Sequence, residues 1–225
     1  PYVPCALARG EHLYTVNDQG IAACTVAATG ERVWDERLGS PVTASPVMID
    51  GKGRAYFSAG NKKLSVFDPA SKQLRTHDAE LPGLYLRAST RPAPDGTVYG
   101  VTRAPDRFFA LRPSGAIDDI GPVRGYTASI ALDPAGRYAY YVPDAHGAAW
   151  EQGTPVVRID TRTGKEEVVV SLNAMAEDKL DLRLGGSYDV VMDPSGDRLY
   201  IGLNAGPTDA EDAFGSVVLA VVELD

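Results

Sequence analysis

Two stretches of this sequence concentrate the side chains that could do chemistry. Residues 143–152, PDAHGAAWEQ, offer Asp144, His146, Trp150 and Glu151. Histidine changes charge near neutral pH, so His146 could act as a general base or a metal ligand. No partner is fixed for it by spacing, and a structural role is the plainer alternative. The second stretch brings Asp209, Glu211, Asp212 and Phe214. After Arg198 the chain carries five carboxylates (Asp209, Glu211, Asp212, Glu223 and Asp225) and no Lys or Arg. An unneutralised acidic cluster supplies hard oxygen ligands of the kind Ca²⁺ prefers. Its spacing is not that of an EF-hand, and a solvated acidic loop is the plainer alternative. Trp150 and Phe214 serve either as recognition anchors or as caps that seal their loops onto the strands beneath.

The elements that must position these residues are read from an internal repeat. Tyr14, Tyr56, Tyr99, Tyr140 and Tyr200 each follow a Gly turn by three or four residues, at Gly10, Gly53, Gly96, Gly136 and Gly196. The tyrosines are spaced by 42, 43, 41 and 60 residues. The first three intervals match a four-stranded propeller blade, about 40 to 50 residues, and the last is one period plus an insertion.

Each unit carries short runs rich in β-branched and aromatic residues, bounded by Asp, Pro, Gly and Ser. First strands are predicted over 3–9, 43–49, 126–132 and 188–192. Second strands are predicted over 55–58, 97–102, 138–142 and 199–203. Third strands fall at 21–26, 64–67, 108–111, 156–159 and 217–222, and fourth strands at 32–37 and 166–171. The turns 133–136 and 193–196 read Asp-Pro-x-Gly, which suits a type I turn. The one helical candidate is 172–182. The fold class is therefore all-β: a β-propeller of about five four-stranded blades in one domain over 1–225, with units near 1–40, 41–82, 83–124, 125–171 and 186–225. A β-sandwich with evenly spaced turns is the alternative, but it leaves the Gly–Tyr register unexplained.

Ala44-Ser-Pro-Val47, Asp50-Gly51 and Ala55-Tyr-Phe57 resemble a blade of the pyrroloquinoline-quinone-type repeat propellers. Thr29, Gly30 and Trp34 resemble that family's tryptophan docking motif, Thr-Gly-x-x-x-Trp. The match covers about residues 1–70. Later units depart from it: Thr163-Gly164 is followed by Val168, and Ser114-Gly115 by Asp119, where Trp is expected. Their Asp-Pro-x-Gly turns look more like those of lactonase-type and surface-layer-type propellers. The resemblance implies a stacking role for Trp34 between blades. It also implies export, to a periplasmic or extracellular location in a bacterium.

Strand connections in such a blade alternate between two faces. Those at 28–31, 68–72, 133–137, 161–165 and 193–197 are all tight. The long ones, 143–155, 205–216 and 172–186, fall in the other class. Long loops gathered on one face mark a binding surface. The expected binding residues are Asp144, His146, Trp150, Glu151 and Phe214, with Asp209, Glu211 and Asp212 as the candidate metal ligands.

Charge and composition exclude several classes. With 22 Lys+Arg against 30 Asp+Glu the net charge is −8, the wrong sign for replacing phosphate counterions, so no nucleic-acid partner is expected. The longest aliphatic run, 217–222, is too short to span a bilayer. Cys5 and Cys24 form neither a disulfide framework nor a metal motif. They fall on non-adjacent strands of one unit, so two free, buried thiols are predicted. The five repeat tyrosines are expected in the core, and His12 and His77 in structural roles. The chain opens on Pro1 without a leader, and its fifth unit stops one strand short. That predicts a five-bladed ring with an incomplete last blade, a piece of a longer propeller, or an edge completed by another chain; the second is the favoured expectation.

The expected function is a non-catalytic scaffold presenting the 143–155 and 205–216 loops to a protein or glycan, with no cofactor. The alternative is a lactonase- or lyase-type enzyme with a Ca²⁺ site. A pyrroloquinoline-quinone-dependent dehydrogenase ranks third, since only the docking motif is recognisable.

Overall fold

The computed structural model describes residues 6–38, 47–49, 54–58, 62–68, 70–145 and 149–224, with the backbone alone at 47–49. Cys5, His146, Gly53 and the 44–46 and 50–51 parts of the repeat motif lie outside the described residues.

Among the described residues nineteen strands form five antiparallel sheets. Sheet 1 has β1 (Leu7–Arg9), β2 (His12–Val16), β3 (Ile21–Val26) and β4 (Arg32–Arg37). Sheet 2 has β5 (Val47–Ile49), β6 (Arg54–Ser58), β7 (Leu64–Asp68) and β8 (Gln73–Thr76). Sheet 3 has β9 (Tyr85–Ser89), β10 (Val98–Arg103), β11 (Arg107–Leu111) and β12 (Ile117–Pro122). Sheet 4 has β13 (Ala131–Leu132), β14 (Tyr138–Tyr141), β15 (Pro155–Asp160) and β16 (Glu166–Ser171). Sheet 5 has three strands, β17 (Leu182–Met192), β18 (Arg198–Pro207) and β19 (Ser216–Glu223). In every sheet, strands adjacent in sequence are adjacent in space. This is the cheapest antiparallel topology, because short turns close each hairpin. One helix, α1 (Asn173–Leu180), lies between sheets 4 and 5 in sequence.

The chain divides into two compact units, Pro1–Ala88 with Asp95–Asp119, and Ser89–Pro94 with Ile120–Asp225. In the first, sheets 1 and 2 meet through aromatic rings. Trp34 on β4 stacks on Phe67 of β7, ring centroids 4.4 Å apart, and Tyr14 packs on the same ring at 6.1 Å. Trp34 is half-buried, whereas Phe67 and Tyr14 are buried, and burial of such rings is worth about 1.5–3 kcal/mol each. His77 Nε2 donates to Gly115 O, 2.6 Å away, and the ring meets Tyr56 edge-on, so it is a structural residue. Cys24 is a buried free thiol, and burial pushes its pKa up.

The second unit has its own core, built from Tyr140, Val142, Val156, Leu172, Leu184, Leu199, Ile201 and Leu203. Its turns follow the sequence. Gly136 N and Gly196 N donate to Asp133 O and Asp193 O, both at 3.1 Å. Both glycines take positive φ, 73° and 87°, which their lack of a Cβ makes cheap. The Asp side chains complete the turns. Asp133 Oδ1 accepts from Arg137 N, and Asp193 Oδ1 accepts from Arg198 N.

Three differences from the expected strands have local causes. The strand expected over 126–132 is only β13, and its leading backbone is claimed by a side chain: Asp144 Oδ1 accepts from Tyr126 N. β17 starts at Leu182 rather than 188, through a Gly185-Gly186 pair that reads as loop. Of the five repeat tyrosines, Tyr14, Tyr56, Tyr99 and Tyr140 are buried, but Tyr200 is 36% exposed.

Candidate functional site

Sheet 5 positions the loops of the second unit. β17 and β18 pair as one long ribbon from Met192–Leu199 to Leu182–Pro207. Three loops are fastened to the first residues of β17. Leu184 shows how: its backbone N–H donates to Asn173 Oδ1 at 2.9 Å, and its carbonyl accepts from Thr154 Oγ1 at 2.7 Å. One residue thereby ties the 143–155 loop and the head of α1 to the same ribbon. Thr154 and Asn173 are buried, and both spend their polar groups on these bonds, as buried polar groups must.

Arg183 makes the second junction. Its guanidinium carbon lies 4.5 Å from the centre of the Trp150 ring, and Nη1 donates to Ala210 O at 3.1 Å. Nε lies 3.8 Å from Glu177 Oε1, which also accepts from Asn173 Nδ2. Arg183 therefore touches the 143–155 loop, α1 and the 205–216 loop at once. A planar cation suits this task, since one face covers an aromatic ring while the edges donate.

The two glycines permit the close approach. A Cβ at Gly185 would lie 2.5 Å from Ala213 O, and one at Gly186 would lie 2.6 Å from Asp144 O. Each contact is with backbone, which cannot step aside.

The expected site residues separate into two groups. Asp144 is internal in its bonding: Oδ1 accepts from Tyr126 N and Oδ2 from Gln152 Nε2 at 2.8 Å. It also holds a left-handed φ of 57°. Trp150 is half-buried beneath Arg183 in a 3-10 turn, Ala149–Gln152. Glu151 and Phe214 face solvent, Phe214 with 42% of its surface exposed. Asp209, Glu211 and Asp212 are exposed on the 205–216 loop, anchored by the fully buried Ala213. Among the described residues no group of three or more His, Cys, Asp or Glu side chains is placed to hold a metal ion.

Sequence reasoning missed Arg183, Asn173, Thr154 and Glu177. The Gly185-Gly186 pair was the available signal, since adjacent glycines often mark a close backbone crossing. It also missed a cavity of about 180 Å³ lined by Arg91 and by apolar residues of β13 and β17. Arg91 Nη2 reaches Leu132 O there at 3.4 Å.

Five consecutive antiparallel meanders, four of them four-stranded, are the parts of a propeller, and a solved structure agrees. The chain superposes on the structure of a streptogramin B lyase with a TM-score of 0.63 and 13% identity. The fold is that of a β-propeller. The match takes in 96% of this chain and 66% of the lyase chain, so this chain spans just under two thirds of that propeller's length. No family model matches the sequence. No curated protein matches it either. Among the described residues no helix is long and apolar enough to cross a membrane.

Proposed function

We propose that this propeller is a non-catalytic binding module that presents the loops of its second unit to a protein or glycan partner. The observation that carries this is the Arg183 junction. It holds the 143–155 loop, α1 and the 205–216 loop together while Glu151 and Phe214 remain exposed on them. Loops tied together at one junction, carrying an exposed aromatic and an exposed carboxylate, have the composition of a recognition surface, since preorganised loops lose little entropy on binding. Trp150 lies against the Arg183 guanidinium, and Asp144 bonds to Tyr126 N and Gln152 Nε2. The pyrroloquinoline-quinone-type repeat is the subfamily we assign to about residues 1–70, on the Thr29-Gly30…Trp34 motif, with the stacking of Trp34 on Phe67 in its support. Export to the periplasm or cell surface belongs to the same proposal.

The test is a binding screen of the 225-residue protein on an array of defined glycans and folded proteins, alongside Glu151→Lys and Phe214→Ala. Ligands that lose the variants while retaining the wild type support the surface.

A further inference from the structure

The cavity of about 180 Å³ beside the ends of β13 and β17 is lined wholly by residues of the second unit. Its walls are apolar. Leu132, Val190 and Met192 are buried, and Val191, 49% exposed, marks its mouth together with the exposed Arg91. Arg91 is the one charged group of the lining. Several arginines of the second unit face a carboxylate: Arg124 meets Glu166, Arg137 meets Asp160 and Arg198 meets Glu223. Among the described residues Arg91 forms no ion pair, and its guanidinium makes one hydrogen bond, to Leu132 O at a long 3.4 Å. The carboxylates that follow the two strands look elsewhere. Asp133 and Asp193 accept from the backbone N–H groups of their own turns. Arg91 is also held in place. Pro92 and Pro94 stiffen its segment, and Ala93 and Pro94 pack so closely on the 133–136 turn that a Cβ on Gly136 would meet them at 2.9 and 3.3 Å.

We propose that this cavity binds a small apolar monocarboxylate, its hydrocarbon body against β13 and β17 and its carboxylate on the Arg91 guanidinium. Size, polarity and charge each narrow the ligand. An apolar cavity of about 150 Å³ holds benzene, so this one has room for one ring or a chain of about six carbons. Apolar walls with a single oriented cation are the composition of a small-molecule site. One guanidinium fork matches one carboxylate in bidentate geometry. A phosphate would need further donors, and the backbone N–H of Val190 is already taken by Ser129 Oγ at 3.0 Å. The Arg183 junction lies towards the other end of β17, roughly 25 Å along the strand. The cavity is therefore separate from the loop surface, and its ligand does not depend on the partner proposed there.

Benzoate is the probe, titrated into the 225-residue protein carrying ¹³C at its methionine methyls. The sequence has 3 Met, at positions 48, 175 and 192. The ring current of bound benzoate is expected to shift the Met192 signal, leave Met48 and Met175 in place, and saturate with a Kd of about 1 mM or tighter. Arg91→Gln changes an exposed side chain, and circular dichroism checks that it keeps the fold. It is expected to raise the Kd about tenfold, and Arg91→Lys to recover part of that loss. Benzyl alcohol, which lacks the charge, is expected to bind wild type as weakly as benzoate binds Arg91→Gln. Inorganic phosphate, which lacks the apolar body, is expected not to displace benzoate. A Met192 signal that stays fixed up to about 10 mM benzoate overturns the proposal. So does equal affinity of wild type and Arg91→Gln, or displacement of benzoate by phosphate.

Discussion

The guanidinium of Arg183 covers the ring of Trp150 at 4.5 Å. Residues 33 positions apart in sequence are thereby locked into one junction between loops. Replacing Arg183 with Ala removes the cation–π contact, about 0.5–2 kcal/mol, together with the bond to Ala210 O. Trp150 emission, recorded in a Trp34→Phe background, should shift to the red, and the melting temperature should fall. Arg183→Lys should recover only part of both, because a point charge keeps neither the plane nor the fork of donors. Unchanged emission in Arg183→Ala would show that the stacking does not hold the loop.

Gly186 and Gly202 should respond oppositely to Ala. Gly186 has a φ of +124° and would place its Cβ 2.6 Å from Asp144 O, whereas Gly202 has nothing within 4 Å. Gly186→Ala should cost on the order of 2–4 kcal/mol in urea unfolding, through backbone strain and displacement of the 143–155 loop. Gly202→Ala, in a strand interior, should be neutral or stabilising by about 0.5–1 kcal/mol. Equal effects at the two positions would contradict the crossing geometry.

Tyr141 is fully buried, and its hydroxyl donates to Glu166 while accepting from Arg124 N at 3.1 Å. Burial, reinforced by the bond to Glu166, holds its pKa far above the ordinary tyrosine value. It therefore stays a neutral donor throughout the accessible pH range. Tyr141→Phe leaves the Arg124 N–H unpaired and should cost about 1–3 kcal/mol. A loss below about 0.5 kcal/mol would mean that water replaces the hydroxyl without penalty.

The Asp193 carboxylate is held below its ordinary pKa, first by the Ser195 hydroxyl at 2.6 Å and then by backbone N–H groups of its turn. A folded-state pKa lower than the unfolded one adds stability that is present above the unfolded value, near pH 4, and is lost as pH falls through the folded value. Wild type should therefore be more stable than Asp193→Asn at pH 7, with the gap closing below about pH 4. A gap that is constant from pH 7 to pH 2 would show that the charge plays no part.

Most strands were legible because each obeys local rules. The Tyr spacing, the Asp-Pro-x-Gly turns and the β-branched runs located every strand of sheets 4 and 5, with β14, β15, β16 and β19 within one residue at each end. What escaped was whatever depends on a distant partner. The polar fourth strands β8 and β12 lack an apolar pattern of their own, and pairing with β7 and β11 makes them strands. β13 is short where the Asp144 side chain takes the backbone N–H of Tyr126. Arg183 looked like one of many arginines, since nothing within its own segment indicates that Trp150 lies across from it. Tyr200 shares the register of its four buried counterparts and differs only in what covers it.

The binding proposal stands on the exposed side chains above the Arg183 junction. The decisive measurement is the affinity of an array-selected glycan or protein for wild type against a Glu151→Lys/Phe214→Ala double variant, both verified as folded by thermal melting. The expected result is a ligand that binds wild type and is weakened at least about tenfold, or 1.4 kcal/mol, by the double variant. Ligands that bind both proteins equally, or an array on which wild type retains nothing, would contradict it.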